Sequence, residues 1–275
     1  LEQAGRVDEA IGHLEEAVRI ERDLPEAHYN LGIVLEHAGR LQDAIEHYEQ
    51  ALRIKPDFAE AHYSLGGTLE QAGRVQEAIG QYEQALQIKP DDPEILNPLA
   101  GALTQAGRFQ DAIGYCERAI RVAPNDSRAY NNLGLALVQL GKGSQAIERF
   151  EQALHINPNN ATARRNLGMA ANYLASQLAT HAPSEGGDPA RAVALAQRAC
   201  ALTGNSAFAY LDTLAAAYAS AGRFDDAVAT AQKAIELARA ANQLQAVNEI
   251  AGRLELYRSR HAYREFKTTP ASGHP

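Results

Sequence analysis

The sequence predicts an all-α chain of stacked helical hairpins, and a fixed internal period together with small-residue packing carries that reading. The phrase Ala38-Gly39-Arg40, followed by Ala44 and Pro56, returns 34 residues later as Ala72-Gly73-Arg74 with Ala78 and Pro90. It returns again as Ala106-Gly107-Arg108 with Ala112 and Pro124. Leu140-Gly141-Lys142 with Ala146 and Pro158 keeps the interval, and Ala4-Gly5-Arg6 with Ala10 carries it back to the start. Units of such a repeat pack on their neighbours, so the useful count is of repeats rather than of domains. Composition agrees: 45% hydrophobic residues with no Trp and only 6 Phe suit close packing of small side chains between helices.

Residues 25–58 serve as the template. Leu31, Leu35 and Ala38 share one helical face, and Ala44, Ile45, Tyr48, Ala51 and Leu52 share another, so the unit is two helices joined at Gly39. Gly39 suits the left-handed position that closes a helix, and Pro56 stops the second one. Gly32 and Ala44 let two helix backbones approach, since a larger side chain there would hold them apart. Leu-Gly, then Gly, Ala, an aromatic residue, Ala and Pro in a 34-residue unit resembles the tetratricopeptide repeat. That resemblance implies a right-handed superhelical solenoid. The first helices would line its concave side, and the second, fifth, sixth and ninth residues of each unit would face the groove.

A single solenoid over 1–267 is expected, opening with a half repeat at 1–24. Leu1 is not Met and already lies inside a repeat, so the sequence reads as a segment of a longer protein. Residues 7–22 form the second helix of that half repeat. Without a partner helix, Ile11, Leu14 and Val18 are expected to stay partly uncovered and to promote self-association. Repeats 25–58, 59–92, 93–126 and 127–160 follow without a gap. The unit 93–126 carries Ala100 where the others carry Gly, and Pro98 is expected to kink its first helix. Repeat 161–206 holds an inserted loop at 179–188, with Asp188 as N-cap and Pro189 opening the next helix, read as a tolerated insertion. Repeat 207–241 is clear again through Leu211, Leu214, Tyr218 and Ala221-Gly222-Arg223. A C-terminal capping helix at 242–260 carries Leu244, Val247, Ile250, Leu254 and Tyr257, and 268–275 reads as a disordered tail.

A net charge of −8 and a pI near 5.6 oppose a nucleic-acid partner, which needs a dense Lys/Arg field. The same balance disfavours an RNA-reading pentatricopeptide array. No run approaches the roughly 20 apolar residues needed to cross a bilayer, so no membrane contact is expected of this segment. Asp43, Glu77, Asp111 and Asp226 recur near the starts of second helices, where negative charge favours the helix dipole. His28 and His62, like His13 and His47, are 34 apart; no Cys or close carboxylate completes a metal site, so they read as packing or surface residues. Cys116 falls where other units carry Tyr48, Tyr82 and Phe150 and reads as a core thiol, and Cys200 stands far from it. No phosphate loop or nucleophile elbow appears. The chain is therefore read as non-enzymatic and without a cofactor.

What remains is a binding surface. The sixth positions are Asn30, Ser64, Pro98, Asn132 and Asn166; the fifth are Tyr29, Tyr63, Asn97, Asn131 and Arg165. Each Asn side chain offers a donor and an acceptor, so a spaced row can pair with the amides of an extended peptide. The row resembles the asparagine ladder of the O-linked N-acetylglucosamine transferase superhelix, interrupted at Ser64 and Pro98. Arg128 and Arg165 beside Asn131, Asn132 and Asn166 suit a carboxylate on a partner, and Tyr29 and Tyr63 offer a more apolar subsite. The ninth positions, Ile33, Gly67, Gly101, Leu135 and Met169, lack the Asn of the carboxylate clamp found in chaperone-binding family members. The leading expectation is a non-catalytic scaffold that holds a protein or peptide segment, acidic in character, in its concave groove. The alternative starts from 211–263, which resembles the tail of bacterial tetratricopeptide proteins, some with a multi-span glycosyltransferase-like portion upstream. On that reading the segment is the substrate-selecting or assembly arm of a larger, membrane-anchored bacterial enzyme.

Overall fold

The computed structural model describes residues 2–204 and 206–264, with side chains from Val7 onward, and every regular element among them is helical. The expected disordered tail at 268–275 lies outside the described residues. The chain divides into two compact units, Leu1–Leu140 and Gly141–Pro275.

The first unit contains α1 (Glu2–Ile20), α2 (Pro25–His37), α3 (Leu41–Ile54), α4 (Ala59–Gln71), α5 (Val75–Ile88), α6 (Pro93–Gln105), α7 (Phe109–Val122) and α8 (Ser127–Gln139). Consecutive helices pack on each other, and α2, α4, α6 and α8 also touch in succession. The bend of each hairpin is a left-handed cap. Gly39 adopts φ 75°, its N–H donates to the Glu36 carbonyl at 2.9 Å, and the Arg40 N–H reaches back to the Leu35 carbonyl at 2.9 Å. Gly73 and Gly107 repeat this geometry. The Arg that follows pairs with the carboxylate three residues on: Arg40 with Asp43 at 2.5 Å, Arg74 with Glu77 at 2.6 Å, Arg108 with Asp111 at 2.8 Å. The recurring acids thus have a local cation as well as the helix dipole. These pairs are exposed, so solvent screening leaves each with little effect on stability.

Inside the hairpin, Gly32 faces the ring of Tyr48, and a Cβ on that glycine would lie 2.6 Å from a ring carbon. Gly66 faces Tyr82 at 2.7 Å in the same way. Both rings are buried, and their hydroxyls donate to Glu36 and Glu70. In the third hairpin the corresponding residues are Ala100 and Cys116, both fully buried. A larger residue on one helix is matched by a smaller one on the other.

One expectation about this unit fails. The bend expected from Ala4-Gly5-Arg6 does not form, because α1 runs unbroken from Glu2 and the residues before Gly5 extend it. Pro98 lies inside α6 without ending it, and α6 keeps the 13 residues of α2, α4 and α8. The bond that Pro98 forgoes would lead back only to Glu94 in the first turn. Buried Leu96, Leu99 and Ala100 hold the rest of the helix in place.

The second unit contains α9 (Gly143–Ile156), α10 (Ala161–Thr180), α11 (Pro189–Leu202), α12 (Phe208–Ser220), α13 (Phe224–Ala240) and α14 (Leu244–Arg258). The insertion is largely helix: α10 has 20 residues, reaches Thr180, and leaves a short connection with one 3-10 turn at Pro183–Glu185. Asp188 caps α11 through the Arg191 N–H at 3.0 Å. Arg264 donates to the Ala179 and His181 carbonyls, tying the end of α10 to the last described residue. Helix α14 buries Val247, Ile250, Leu254 and Tyr257, whereas Leu244, expected on the same face, is exposed. Arg253 fastens it to α12 through two bonds to Asp212, at 3.1 and 2.6 Å.

Gly73→Ala is expected to lower stability by about 1 kcal/mol, because an L residue is strained at a φ of +77°. Urea unfolding measures this, and an unchanged or raised midpoint would contradict the left-handed cap.

Candidate peptide-binding groove

The surface that the sequence marks as a groove is carried in the first unit by α2, α4, α6 and α8. Tyr29 is half-buried between Phe58 and Tyr48, with ring centres 5.0 and 5.8 Å away, and its hydroxyl lies 3.5 Å from the Ser64 Oγ. Tyr63, 36% exposed, leans on Tyr82 with ring centres 6.1 Å apart. Asn30 is exposed. Asn97 is not a surface residue: it is 3% exposed, its Nδ2 donates to Asp126 at 2.8 Å, and its backbone carbonyl accepts from the Asn132 Nδ2 at 3.0 Å. Asn131 is buried as well and points its Nδ2 at the Asn132 Oδ1 across 3.5 Å. The row is therefore partly internal scaffolding, with Asn132 as its half-exposed member.

Arg128 does not wait for an acidic partner. Its guanidinium binds Glu94 at 3.0 and 2.5 Å and Asp126 at 2.8 Å. The bond from Arg128 holds the Glu94 carboxyl below the usual carboxylate range. Burial alone would raise Asp126, but the bonds from Arg128 outweigh it and lower that carboxyl too. One cation between two carboxylates leaves this spot negative.

A feature that reading by individual positions misses lies between α6 and α8. A cavity of about 480 Å³ is lined by Gly101, Thr104, Gln105, Gly107, Phe109, Asn132, Leu135 and Gln139. No lining side chain is charged. A Cβ added to Gly101 would meet nothing within 4 Å, so neither packing nor a turn requires that glycine. The signal is present in the sequence: glycine in the interior of a helix costs stability, and Gly67 and Gly101 repeat it at the ninth position.

The second unit holds the remaining residues of the expected site. Arg165 is exposed and Asn166 is buried. One and two turns beyond Arg165 on α10 stand Met169, 57% exposed, and Tyr173, 60% exposed, neither singled out from the sequence as an anchor. Helix α10 carries two Arg and no acidic residue.

Cys116 is fully buried, and burial pushes its thiol up to about 12, which suits a core thiol and not a nucleophile. Among the described residues no group of three or more His, Cys, Asp or Glu is placed to hold a metal ion. No helix among them is long and apolar enough to cross a membrane.

Family comparisons bear on this architecture. Models described as tetratricopeptide repeat match residues 1–57, 23–91, 69–136 and 209–243, and one described as TPR repeat matches 134–171. The chain belongs to the tetratricopeptide-repeat family. Among solved structures it is similar to PilF of Pseudomonas aeruginosa, with a TM-score of 0.58, 22% identity, and coverage of 83% of this chain and 96% of that one. It is similar to YrrB, described as a TPR protein with an unusual peptide-binding site, at 0.56 and 21%, covering 70% of this chain and 93% of that one. MamA from Desulfovibrio magneticus RS-1 matches at 0.56 and 18%, covering 66% and 93%. At these identities the likeness is one of fold. No curated protein matches the chain. A tetratricopeptide-repeat fold is a protein-interaction scaffold.

Tyr29 and Tyr63 are expected to separate by their response to truncation. Tyr29→Ala should cost about 2–4 kcal/mol, since the residue packs on two rings, and Tyr63→Ala clearly less. Thermal unfolding decides the order, and equal losses would contradict the packing role of Tyr29.

Proposed function

We propose that this chain is a non-catalytic peptide-binding scaffold whose α6–α8 cavity receives the backbone of an extended, uncharged stretch of a partner protein. The observation that carries the reading is the lining of that cavity. Asn132, Gln105 and Gln139 each bring a carboxamide, Thr104 brings a hydroxyl, and Leu135 brings an apolar wall. A carboxamide matches a peptide group donor for acceptor, whatever the partner's side chain. The bare floor at Gly101 lets a backbone come close. The likeness to YrrB favours a peptide as the class of ligand.

The acidic character expected of the partner moves to the second unit. Arg165, Met169 and Tyr173 form one exposed face of α10, and Arg, Met and Tyr are residue types enriched at interfaces. A partner segment with a carboxylate beside apolar side chains fits that face. Self-association through α1 is a further proposal, supported by half-buried Leu14 and Val18 and by Ile20 at 69% exposure. Ile11, by contrast, is already buried at 6% and belongs to the core, so that part of the expected uncovered surface does not exist.

The test is Gly101→Leu, assayed with peptides selected by display against the unaltered chain. Leucine intrudes on the cavity beside Asn132 and Leu135 and raises helix propensity by about 0.8 kcal/mol. Binding should therefore weaken by about tenfold or more while thermal stability stays level or rises. Full affinity in a folded Gly101→Leu chain would show that the cavity is not the binding surface.

A further inference from the structure

The histidines do not pair as their 34-residue spacing suggests. His28 on α2, 8% exposed, faces His47 on α3, with the two Nδ1 atoms 3.1 Å apart and the ring centres 5.4 Å apart. That ring separation is what two imidazoles reach when their nitrogens point straight at each other, so the contact is an in-line N–H···N bond. A shared metal ion would instead need both lone pairs to converge off that line. The other nitrogen of His28 lies 3.2 Å from the Arg22 carbonyl oxygen, which can only accept. His28 therefore carries its proton on Nε2 and presents a bare Nδ1, and His47 supplies the N–H between them.

The next repeat provides an internal comparison. His62 occupies the place of His28, Gln81 that of His47 and Pro56 that of Arg22. The His62 Nδ1 is 2.7 Å from the Gln81 side-chain oxygen atom and its Nε2 is 3.0 Å from the Pro56 carbonyl. The clamp is the same, but the partner on the second helix is an amide that does not titrate. Written for a neutral His62, the Gln81 amide is turned so that its NH2 donates to Nδ1.

We propose that His28 and His47 form a proton-sensitive clasp that fastens α2 to α3 and to the connection behind α1, and that acidification opens it. The closed pair has room for one proton between its facing nitrogens. Protonating both rings sets two N–H groups against each other at 3.1 Å, so the doubly charged state must open. The surroundings are mixed. Glu15 and Arg19 from α1, Arg22 from the connection and Gln50 from α3 share a cavity of about 490 Å³ with the two rings, and Asp43 and Glu46 lie on α3 itself. Burial, with His28 next, holds His47 below the ordinary imidazole value of 6.5, against the pull of Asp43, Glu15 and Glu46. The sign follows from that. An open or unfolded form takes up protons near pH 6.5 while the closed form resists them, so closure is fully present above that pH and is lost as pH falls below it. Each proton taken up in excess favours opening by about tenfold per pH unit. Opening frees Val18, which lines the same cavity, and weakens the seat of α1.

His47→Gln turns this clasp into the arrangement already present at His62 and Gln81, which keeps the fold and removes the titrating partner. Amide hydrogen exchange of residues 8–28 is to be measured at about pH 7.5, 6.5 and 5.5, corrected for intrinsic pH dependence, in the unaltered chain and in His47→Gln. The unaltered chain should open about tenfold more at pH 5.5 than at 6.5, and His47→Gln should stay nearly flat. The remaining histidines are common to both proteins and cancel in the difference. Superimposable profiles would overturn the proposal, as would two imidazoles that titrate independently near 6.5 by NMR in the folded chain. If His47→Gln fails to fold, the NMR titration of the unaltered chain decides by itself.

Discussion

A glycine on one helix set against a ring on the next fixes the depth to which the first two full hairpins close. At Gly32 and Gly66 there is no space for even a Cβ beside Tyr48 and Tyr82. The contact brings two backbones together, buries two large rings and leaves their hydroxyls for Glu36 and Glu70 at the helix ends. Everything local depends on that distance. The left-handed caps at Gly39 and Gly73 can hand the chain from one helix to the next because the helices lie close. Small buried residues such as Ala44, Ala51, Ala78 and Ala85 fill what remains.

Charge plays a different part. The cations of the bends pair with acids three residues away, and Arg128 is held between Glu94 and Asp126, so these cations are matched where they arise, although acids outnumber bases in the first unit. The α6–α8 cavity, by contrast, is lined by uncharged side chains and is rich in carboxamides. On α10 of the second unit the balance differs, with two Arg and no carboxylate along the helix. Function in a repeat protein lies in such departures, since the shared residues are occupied in making the scaffold.

The all-helical architecture is legible because glycine, alanine and proline mark backbone geometry directly: only glycine adopts the left-handed cap without strain, and proline ends helices. The candidate site is far less legible. Asn97 and Asn131 have the positions of groove residues, yet burial turns them into scaffolding, and position alone carries no information about burial. Arg128 has the position of a free cation, but Glu94, 34 residues earlier, reaches it from the neighbouring helix. The His28–His47 contact spans 19 residues and follows the hairpin rather than the period, so counting by 34 pairs the wrong histidines. Ala100 and Cys116 stand in the sequence as two separate departures, whereas together they preserve the fit that Gly and Tyr make in the neighbouring hairpins.

That last point gives the most direct test of the packing rule. Cys116→Tyr, alone and combined with Ala100→Gly, is to be compared with Ala100→Gly by urea unfolding. The ring alone should cost about 1–3 kcal/mol through overpacking against the Ala100 methyl. Adding Ala100→Gly should recover most of that loss, with a coupling of about 1 kcal/mol or more between the two sites. Additive effects, or a Cys116→Tyr chain as stable as the original, would contradict the claim that glycine and ring together set the closeness of the hairpin.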